Sequence, residues 1–342
     1  MRSIASAAVD WSQLAQKNIL ITGAAGFLPA YMVEALLYLN DHHGLRCKIL
    51  GLVRNRETAR QRFAAYMGRP DLQLIEGDAS GPVSWPHRCD VLIHAASQAS
   101  PKFYGPDPVG TMTTNILGTY HLLTQARQWG VQSFLFFSSG EVYGQVSSDQ
   151  VPTKETDYGW IDINAVRSCY SEGKRAAETL GVSYFSQFGV PFKIVRPFHT
   201  YGPKMRLDDG RVFADFVRDL VDRRNLQIRS DGKAIRAFCY LSDAVRGFFT
   251  VLFHGAPATP YNVGNPDAAC SIKDLAQMLT KLRPDWGLSV EHHAQTTAGY
   301  LPSSISINVP NIDRLSALGW KPTISLEEGF ERTLRFFTES YL

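Results

Sequence analysis

Short apolar runs alternate with longer stretches of helical period through the first part of the chain. Asn18 to Thr22, Cys47 to Val53, Leu72 to Glu76, Asp90 to Ala95, Ser133 to Phe137 and Phe192 to Val195 are rich in Ile, Leu, Val and Phe. Runs of this kind read as strands buried on both faces. Between them apolar residues recur at helical spacing, after Gly26 to about Leu39, from about Val109 to Trp129, and around Tyr170. The alternation predicts an α/β fold, a doubly wound parallel sheet with helices on both faces. Beyond about Pro197 the rhythm changes to a Pro/Gly-containing loop, short strands at Leu226 to Arg229 and Phe238 to Leu241, and scattered helices. These predict a smaller C-terminal lobe over the carboxyl edge of the sheet. The boundaries fall at 18–197 and 198–342, with room for the chain to return to the sheet.

Composition narrows the field. The 342 residues are 44% hydrophobic and 20% charged with a formal net charge of +3, which is ordinary globular material. A balance this mild, without a dense Lys/Arg run, argues against nucleic acid as a partner. Five cysteines, Cys47, Cys89, Cys169, Cys239 and Cys270, are scattered without a Cys-x-x-Cys, which fits buried thiols in a reducing cytosol. Met1 to Asn18 lacks the apolar core of a signal peptide, and no stretch suits a membrane span. The expectation is a cytoplasmic protein with no membrane association. Nine dispersed histidines, including His42-His43 and His292-His293, lack acids or cysteines at ligand spacing, so no metal is indicated.

The strand ends hold the candidate chemistry. Gly23-Ala-Ala-Gly26-Phe27-Leu28-Pro29 lies between a strand and a helix. Glycines let the backbone close on a pyrophosphate, and the helix N-terminus faces it, which makes the first domain Rossmann-type and dinucleotide-binding. Pro29 stands where a third glycine is usual; it is tolerated in a first helical turn but leaves the helix–strand packing to be explained. The second strand ends in Arg54-Asn-Arg56 rather than the acid of NAD-binding proteins, which leans toward the 2′-phosphate of NADP. Asp78 is a candidate for the adenine side, and Ala95, Ala96 and Ser97 for the ribose and nicotinamide. Further along, Tyr170 and Lys174 stand four apart on a helix and so share a face. The ammonium is expected to pull the phenol down toward working pH, making it a base for an alcohol while a nicotinamide takes the hydride. Ser139, in Ser138-Ser139-Gly140-Glu141-Val142-Tyr143-Gly144, would hold the substrate oxygen.

With these residues in their order, the chain resembles the extended short-chain dehydrogenase/reductases of the nucleotide-sugar epimerase/dehydratase type, from about Asn18 to Phe337. Within them it is most similar to the UDP-glucuronate decarboxylase group. The resemblance rests on His94-Ala-Ala-Ser97-Gln-Ala-Ser100-Pro, Arg167-Ser-Cys-Tyr170-Ser-Glu-Gly-Lys174-Arg-Ala-Ala-Glu178, Gly202-Pro-Lys-Met205 with Asp209-Gly-Arg211-Val212, and Arg236-Ala-Phe-Cys-Tyr-Leu-Ser-Asp243. It implies Tyr170 as base for the sugar 4-hydroxyl, Lys174 as its tuner and the holder of the nicotinamide ribose, and Ser139 as the group that polarises the 4-oxygen. Arg211 and Arg236 would grip the nucleotide diphosphate, with Ser100, Arg167 and His199 as further substrate contacts. It also implies a tightly bound NAD or NADP, a nucleotide-diphosphate sugar as substrate, and a homodimer through a four-helix contact.

The chain departs from that group at telling places. Gly140 replaces the serine that would help hold a substrate carboxylate, and also the aspartate that many dehydratases place before the glutamate. Leu301-Pro-Ser-Ser-Ile-Ser-Ile-Asn308 carries no cation where decarboxylases have arginines. His199 replaces an asparagine. Glu141 remains as a base for the sugar C5, whose proton is acidified once C4 is a ketone. The reading is therefore an NAD(P)-dependent epimerase or dehydratase acting through a 4-keto nucleotide sugar. UDP-glucuronate decarboxylation is the alternative, and a non-catalytic, NADP-sensing binding protein is the third.

Overall fold

The apolar runs form a parallel sheet. The computed structural model describes residues 1–292, 303 and 305–339. In chain order the elements are α1 (Arg2–Ala5), β1 (Asn18–Thr22), α2 (Phe27–His43), β2 (Lys48–Val53), α3 (Arg56–Arg62), β3 (Leu72–Glu76), β4 (Val91–His94), α4 (Pro108–Trp129), β5 (Ser133–Phe137), α5 (Ser168–Phe188), β6 (Phe192–Pro197) and β7 (His199–Tyr201). They continue with α6 (Val212–Val221), β8 (Leu226–Ile228), β9 (Ile235–Tyr240), α7 (Leu241–His254), β10 (Pro260–Val263), β11 (Ala269–Ser271), α8 (Ile272–Lys281), β12 (Val290–His292), β13 (Ile307–Asn308), α9 (Asp313–Ser316) and α10 (Leu326–Glu339). Of the stretch read above as lacking a cation, Leu301, Pro302 and Ser304 lie outside the described residues, as does His293.

Seven strands line up in the order β3-β2-β1-β4-β5-β6-β10, and every pairing among them is parallel. Alternate residues of each strand face opposite layers. Ile19 and Ile21 pack with α2 and α7, while Leu20 packs with Leu122, Leu123 and Ala126 of α4 and Ala177 of α5. The order reverses between β1 and β4, and α/β sheets open a binding crevice at the carboxyl ends of such neighbours. Thr22 and His94 end these two strands side by side. Ahead of β1, Trp11 sets its ring edge-on to Phe249 and Phe253 of α7, so the first residues cover one helical layer.

The second lobe has its own sheet and core. β9 pairs with β7 and β13 in parallel and with β11 antiparallel, and β12 pairs with β8. Tyr201, Phe213, Phe216, Phe238 and Phe330 are buried there among α6, α8 and α10. Each such aromatic contributes roughly 1.5–3 kcal/mol of burial. Between β9 and β11 the chain returns to the first sheet at β10, beside β6. Among the described residues no helix is long and apolar enough to cross a membrane.

Candidate active site

The cofactor end is shaped by how closely two strands approach. Gly23 takes φ +65°, and a Cβ there would stand 2.9 Å from Ala96 Cα and 3.2 Å from the Ala95 carbonyl oxygen. Only glycine suits both constraints, so β1 turns over the end of β4 with bare backbone. Gly26 caps α2, and its amide donates to the Gly23 carbonyl at 2.7 Å. Phe27, Leu28 and Pro29 form the first helical turn, where the missing proline N–H removes no helical bond. The turn itself packs closely on β2: a Cβ on Gly51 would lie 3.0 Å from Ala24 Cβ. This bare cradle at a helix N-terminus fits a dinucleotide pyrophosphate.

At the outer end Arg54 is exposed, and the Asn55 side chain is used to cap α3 at Thr58. Asp78 accepts from the Ser80 amide and hydroxyl at 2.8 and 2.7 Å. Partial burial pushes the Asp78 carboxyl up, but the Ser80 bonds and the Arg54 charge outweigh it and hold it below the usual range. Asp107, held low first by the Gln98 side-chain bond, also feels Arg54. Arg54 therefore shares its ground with two carboxylates. Ser97 donates to Asn115 of α4 at 2.9 Å. Thr22 Oγ1 accepts from the Ala96 amide at 3.2 Å and pairs with His94 Nδ1 at 2.8 Å. Burial, reinforced by the Lys174 charge, pushes His94 down to about 3, so its ring is neutral.

Tyr170 and Lys174 are both buried on α5. Lys174 shares the face of α5 with Tyr170 but turns its ammonium elsewhere. Its ammonium donates to the Phe137 carbonyl at 2.6 Å, at the end of β5, and lies 5.9 Å from the Tyr170 ring centroid. Burial pushes Lys174 down to about 7, against the pull of Glu178. The Tyr170 phenol is pushed up to about 12, chiefly by burial and then by the charge of Glu141. Ser139, Arg211 and Arg167 act in the opposite direction. The expected lowering of the phenol by Lys174 is thus corrected: in the protein alone burial wins, and the groups that oppose it are Ser139 and two arginines.

Ser139 caps a single 3₁₀ turn, Gly140–Tyr143, by accepting from the Glu141 amide at 3.1 Å. The turn aims Glu141 back toward α5, where Arg167 grips its carboxylate with two bonds of 2.9 and 3.2 Å. Arg167, expected as a substrate contact, instead has its fork on Glu141. Ser138 donates to Glu178 of α5, which also holds the buried Arg196 at 2.9 and 2.6 Å. That buried group ties the serine strand end to the tyrosine helix.

The remaining candidates come from the second lobe and the loop after β4. Arg211, at the start of α6, donates to the Ala99 carbonyl at 2.7 Å and pairs with Asp209 at 3.2 Å. Ser100 donates to the Asp209 carbonyl. Arg236 donates to the carbonyls of Ile235, Ile305 and Ser306. His199 of β7 is held far below its ordinary value by burial and by Arg236 and Arg211, so it is neutral. Arg211 and Arg236 therefore both act on His199, and Arg211 also acts on Tyr170. Two participants had no signal in the sequence. Tyr104 stacks on Tyr170 with centroids 5.1 Å apart and an interplanar angle of 16°. Phe198 lies against Gly140.

Residues 19–264 match the NAD dependent epimerase/dehydratase family. The chain belongs to that family. It is 34% identical over 325 residues to UDP-glucuronic acid decarboxylase 6 of Arabidopsis thaliana, covering 93% of this chain and 88% of the relative. It is 33% identical to UDP-glucuronic acid decarboxylase 1 of Xenopus tropicalis, covering 95% of this chain and 73% of that one. Among solved structures, UDP-glucuronic acid 4-epimerase from Bacillus cereus, in complex with UDP-glucuronic acid and NAD, superposes with a TM-score of 0.77 at 25% identity, over 95% of this chain and all of that one. DesIV, a dTDP-glucose 4,6-dehydratase from Streptomyces venezuelae, shares the fold with a TM-score of 0.79 at 24% identity, over 94% and 97% of the two chains.

Proposed function

We propose that this family member is an NAD(P)-dependent nucleotide-sugar epimerase or dehydratase working through transient oxidation of the sugar at C4. The observation that carries the reading is the convergence of Ser139, Glu141 and Tyr170, a hydroxyl, a carboxylate and a phenol, at the carboxyl end of β5. NAD(P)⁺, when bound, supplies the hydride acceptor and a positive charge that favours the phenolate. Gly23, Gly26 and the amides of Phe27 and Leu28 would hold its pyrophosphate, Ala95, Ala96 and Ser97 would border its ribose and nicotinamide, Lys174 would hold the nicotinamide ribose and Asp78 would take its adenine side. Arg54 would meet a 2′-phosphate, which supports NADP.

Tyr170 takes the proton of the 4-hydroxyl, and Ser139 donates to the oxygen as it becomes a carbonyl. The ketone acidifies the C5–H, and Glu141 is the carboxylate placed to remove that proton. In epimerisation C5 is reprotonated and the hydride returns to C4. In dehydration the C6 hydroxyl leaves as water and the hydride is delivered to C6. Either cycle is redox-neutral, so the cofactor stays bound. Arg211 and Arg236 would hold the diphosphate, guanidinium being the better bidentate partner for phosphate, with His199 as a neutral donor between them and Ser100 fixing the Asp209 loop behind Arg211.

Decarboxylation of UDP-glucuronate is the second reading, favoured by similarity to enzymes of that name at 34% identity. Against it stands Gly140, whose missing side chain is replaced by the apolar ring of Phe198. A homodimer through α4 and α5 is part of the proposal: Val109, Met112, Leu117, Tyr120, Val182 and Phe185 are large apolar residues exposed on these two helices. Product mass spectrometry tests the reading, after incubation in deuterated water with UDP-glucuronate, GDP-mannose, dTDP-glucose and CDP-glucose. Loss of water, or unchanged connectivity with one deuterium gained, is the expected result; loss of carbon dioxide from UDP-glucuronate would move the assignment to the decarboxylases.

A further inference from the structure

We propose that Arg167 is a positioning residue for Glu141 rather than a substrate ligand, fixing the carboxylate beside Tyr170 and offsetting its charge there. The inference rests on the reading of Tyr170 and Glu141 as the two bases. Its geometric ground is the fork-to-fork pair, with Arg167 Nη1 2.9 Å and Nη2 3.2 Å from the two carboxylate oxygens. The side chains are only 16% and 22% exposed, so water screens the pair far less than a surface pair. A planar fork with two parallel bonds fixes direction as well as charge.

The placement of the two residues gives the pair its consequence. Glu141 lies two residues after Ser139 in the 3₁₀ turn, and Arg167 caps α5 three residues before Tyr170. The bridge therefore locks the turn bearing the hydroxyl to the helix bearing the phenol. The Arg167 guanidinium carbon also stands 5.6 Å from the centroid of the Tyr104 ring, which stacks on Tyr170. Glu141 near a phenol is a like-charge problem: once the phenol ionises, two anions share a buried site. Arg167 is the cation bonded to one of them. Other titratable or charged groups facing this point among the described residues are Tyr104, Cys169, Lys174 and Arg211, with Asp107 and Asp209 behind Cys169 and Arg211. None of these forms a bond to Glu141.

Opposed charges give opposed predictions, which mere structural support would not. The test is a stopped-flow alkaline pH jump on enzyme saturated with NAD⁺, reading tyrosinate absorbance as the difference from Tyr170→Phe. Arg167→Gln is expected to raise the Tyr170 midpoint by about one unit and Glu141→Gln to lower it by about one unit. The double variant returns close to the parent, because each removes what the other offsets. Should Arg167→Gln fail to fold, Arg167→Met keeps the apolar stem, loses the charge and is expected to show the same rise. An unmoved midpoint in the Arg167 variants, or shifts in one direction for Arg167 and Glu141, would overturn the proposal. The titration uses no sugar substrate. Opposed shifts in an enzyme that converts no nucleotide sugar would uphold the pair and sink the proposed reaction.

Discussion

A methyl group on Gly140 would stand 3.1 Å from three carbon atoms of the Phe198 ring. Glycine here is thus matched to the ring across from it, and the ring gives the turn between Ser139 and Glu141 an apolar wall. Gly140→Ser or Gly140→Asp must push Phe198, which is itself packed beside Gly264. Overpacking of this kind costs roughly 1–3 kcal/mol. Chemical denaturation should show that loss with the slope unchanged; a variant as stable as the parent would mean the ring moves freely.

Gly23→Ala adds a Cβ at φ +65° and drives it into the end of β4. Left-handed backbone costs an L-residue roughly 1–2 kcal/mol before any clash is counted. The expected outcome is at least a tenfold weaker affinity for NAD(P)H, measured by quenching of protein fluorescence. Unchanged affinity would remove the cradle from the account.

Arg54→Glu should reverse the cofactor lean. The parent is expected to bind NADP more tightly than NAD, and the variant NAD more tightly than NADP, by about tenfold each way in paired titrations. Asp78 and Asp107 lie within reach of the same arginine. A parent that prefers NAD would show that these carboxylates already occupy it.

The strand pattern and the glycine turn were legible in the sequence because each reflects a local rule. Continuous apolar runs predict strands buried on both faces, and Gly23 follows one of them at the reversal of the sheet. What was not legible depended on direction and on distant pairings. Lys174 shares a face with Tyr170, as the spacing requires, but its long side chain runs to the Phe137 carbonyl and leaves the phenol to burial. Arg167 and Glu141 meet only because a 3₁₀ turn folds the chain back. The stack of Tyr104 on Tyr170 comes from a loop with no pattern of its own. The sequence left room for the chain to return to the first sheet, but not the place of that return: Pro260–Val263 pairs with β6 after β7, β8 and β9 and before β11 to β13.

Lys174 gives stability a signed dependence on pH. Its folded value lies at about 7 against 10.5 for the ordinary side chain, so between those values the unfolded chain binds more protons. Stability should therefore rise as pH increases from about 7 toward 10.5, as burial of a charged ammonium is relieved. Lys174→Met should flatten that slope in urea titrations run across the range. A slope of the same size in the variant would assign the dependence to another group.

Transient absorbance of the reduced nicotinamide is the most direct test of C4 oxidation. Enzyme saturated with NAD(P)⁺ would be mixed rapidly with whichever nucleotide sugar the product analysis shows to be consumed. A reduced-cofactor signal that rises and then decays within the turnover, and vanishes in Tyr170→Phe, is the predicted result. Product formed with no such signal, or a signal that climbs steadily with each turnover, would contradict a hydride that is borrowed and returned.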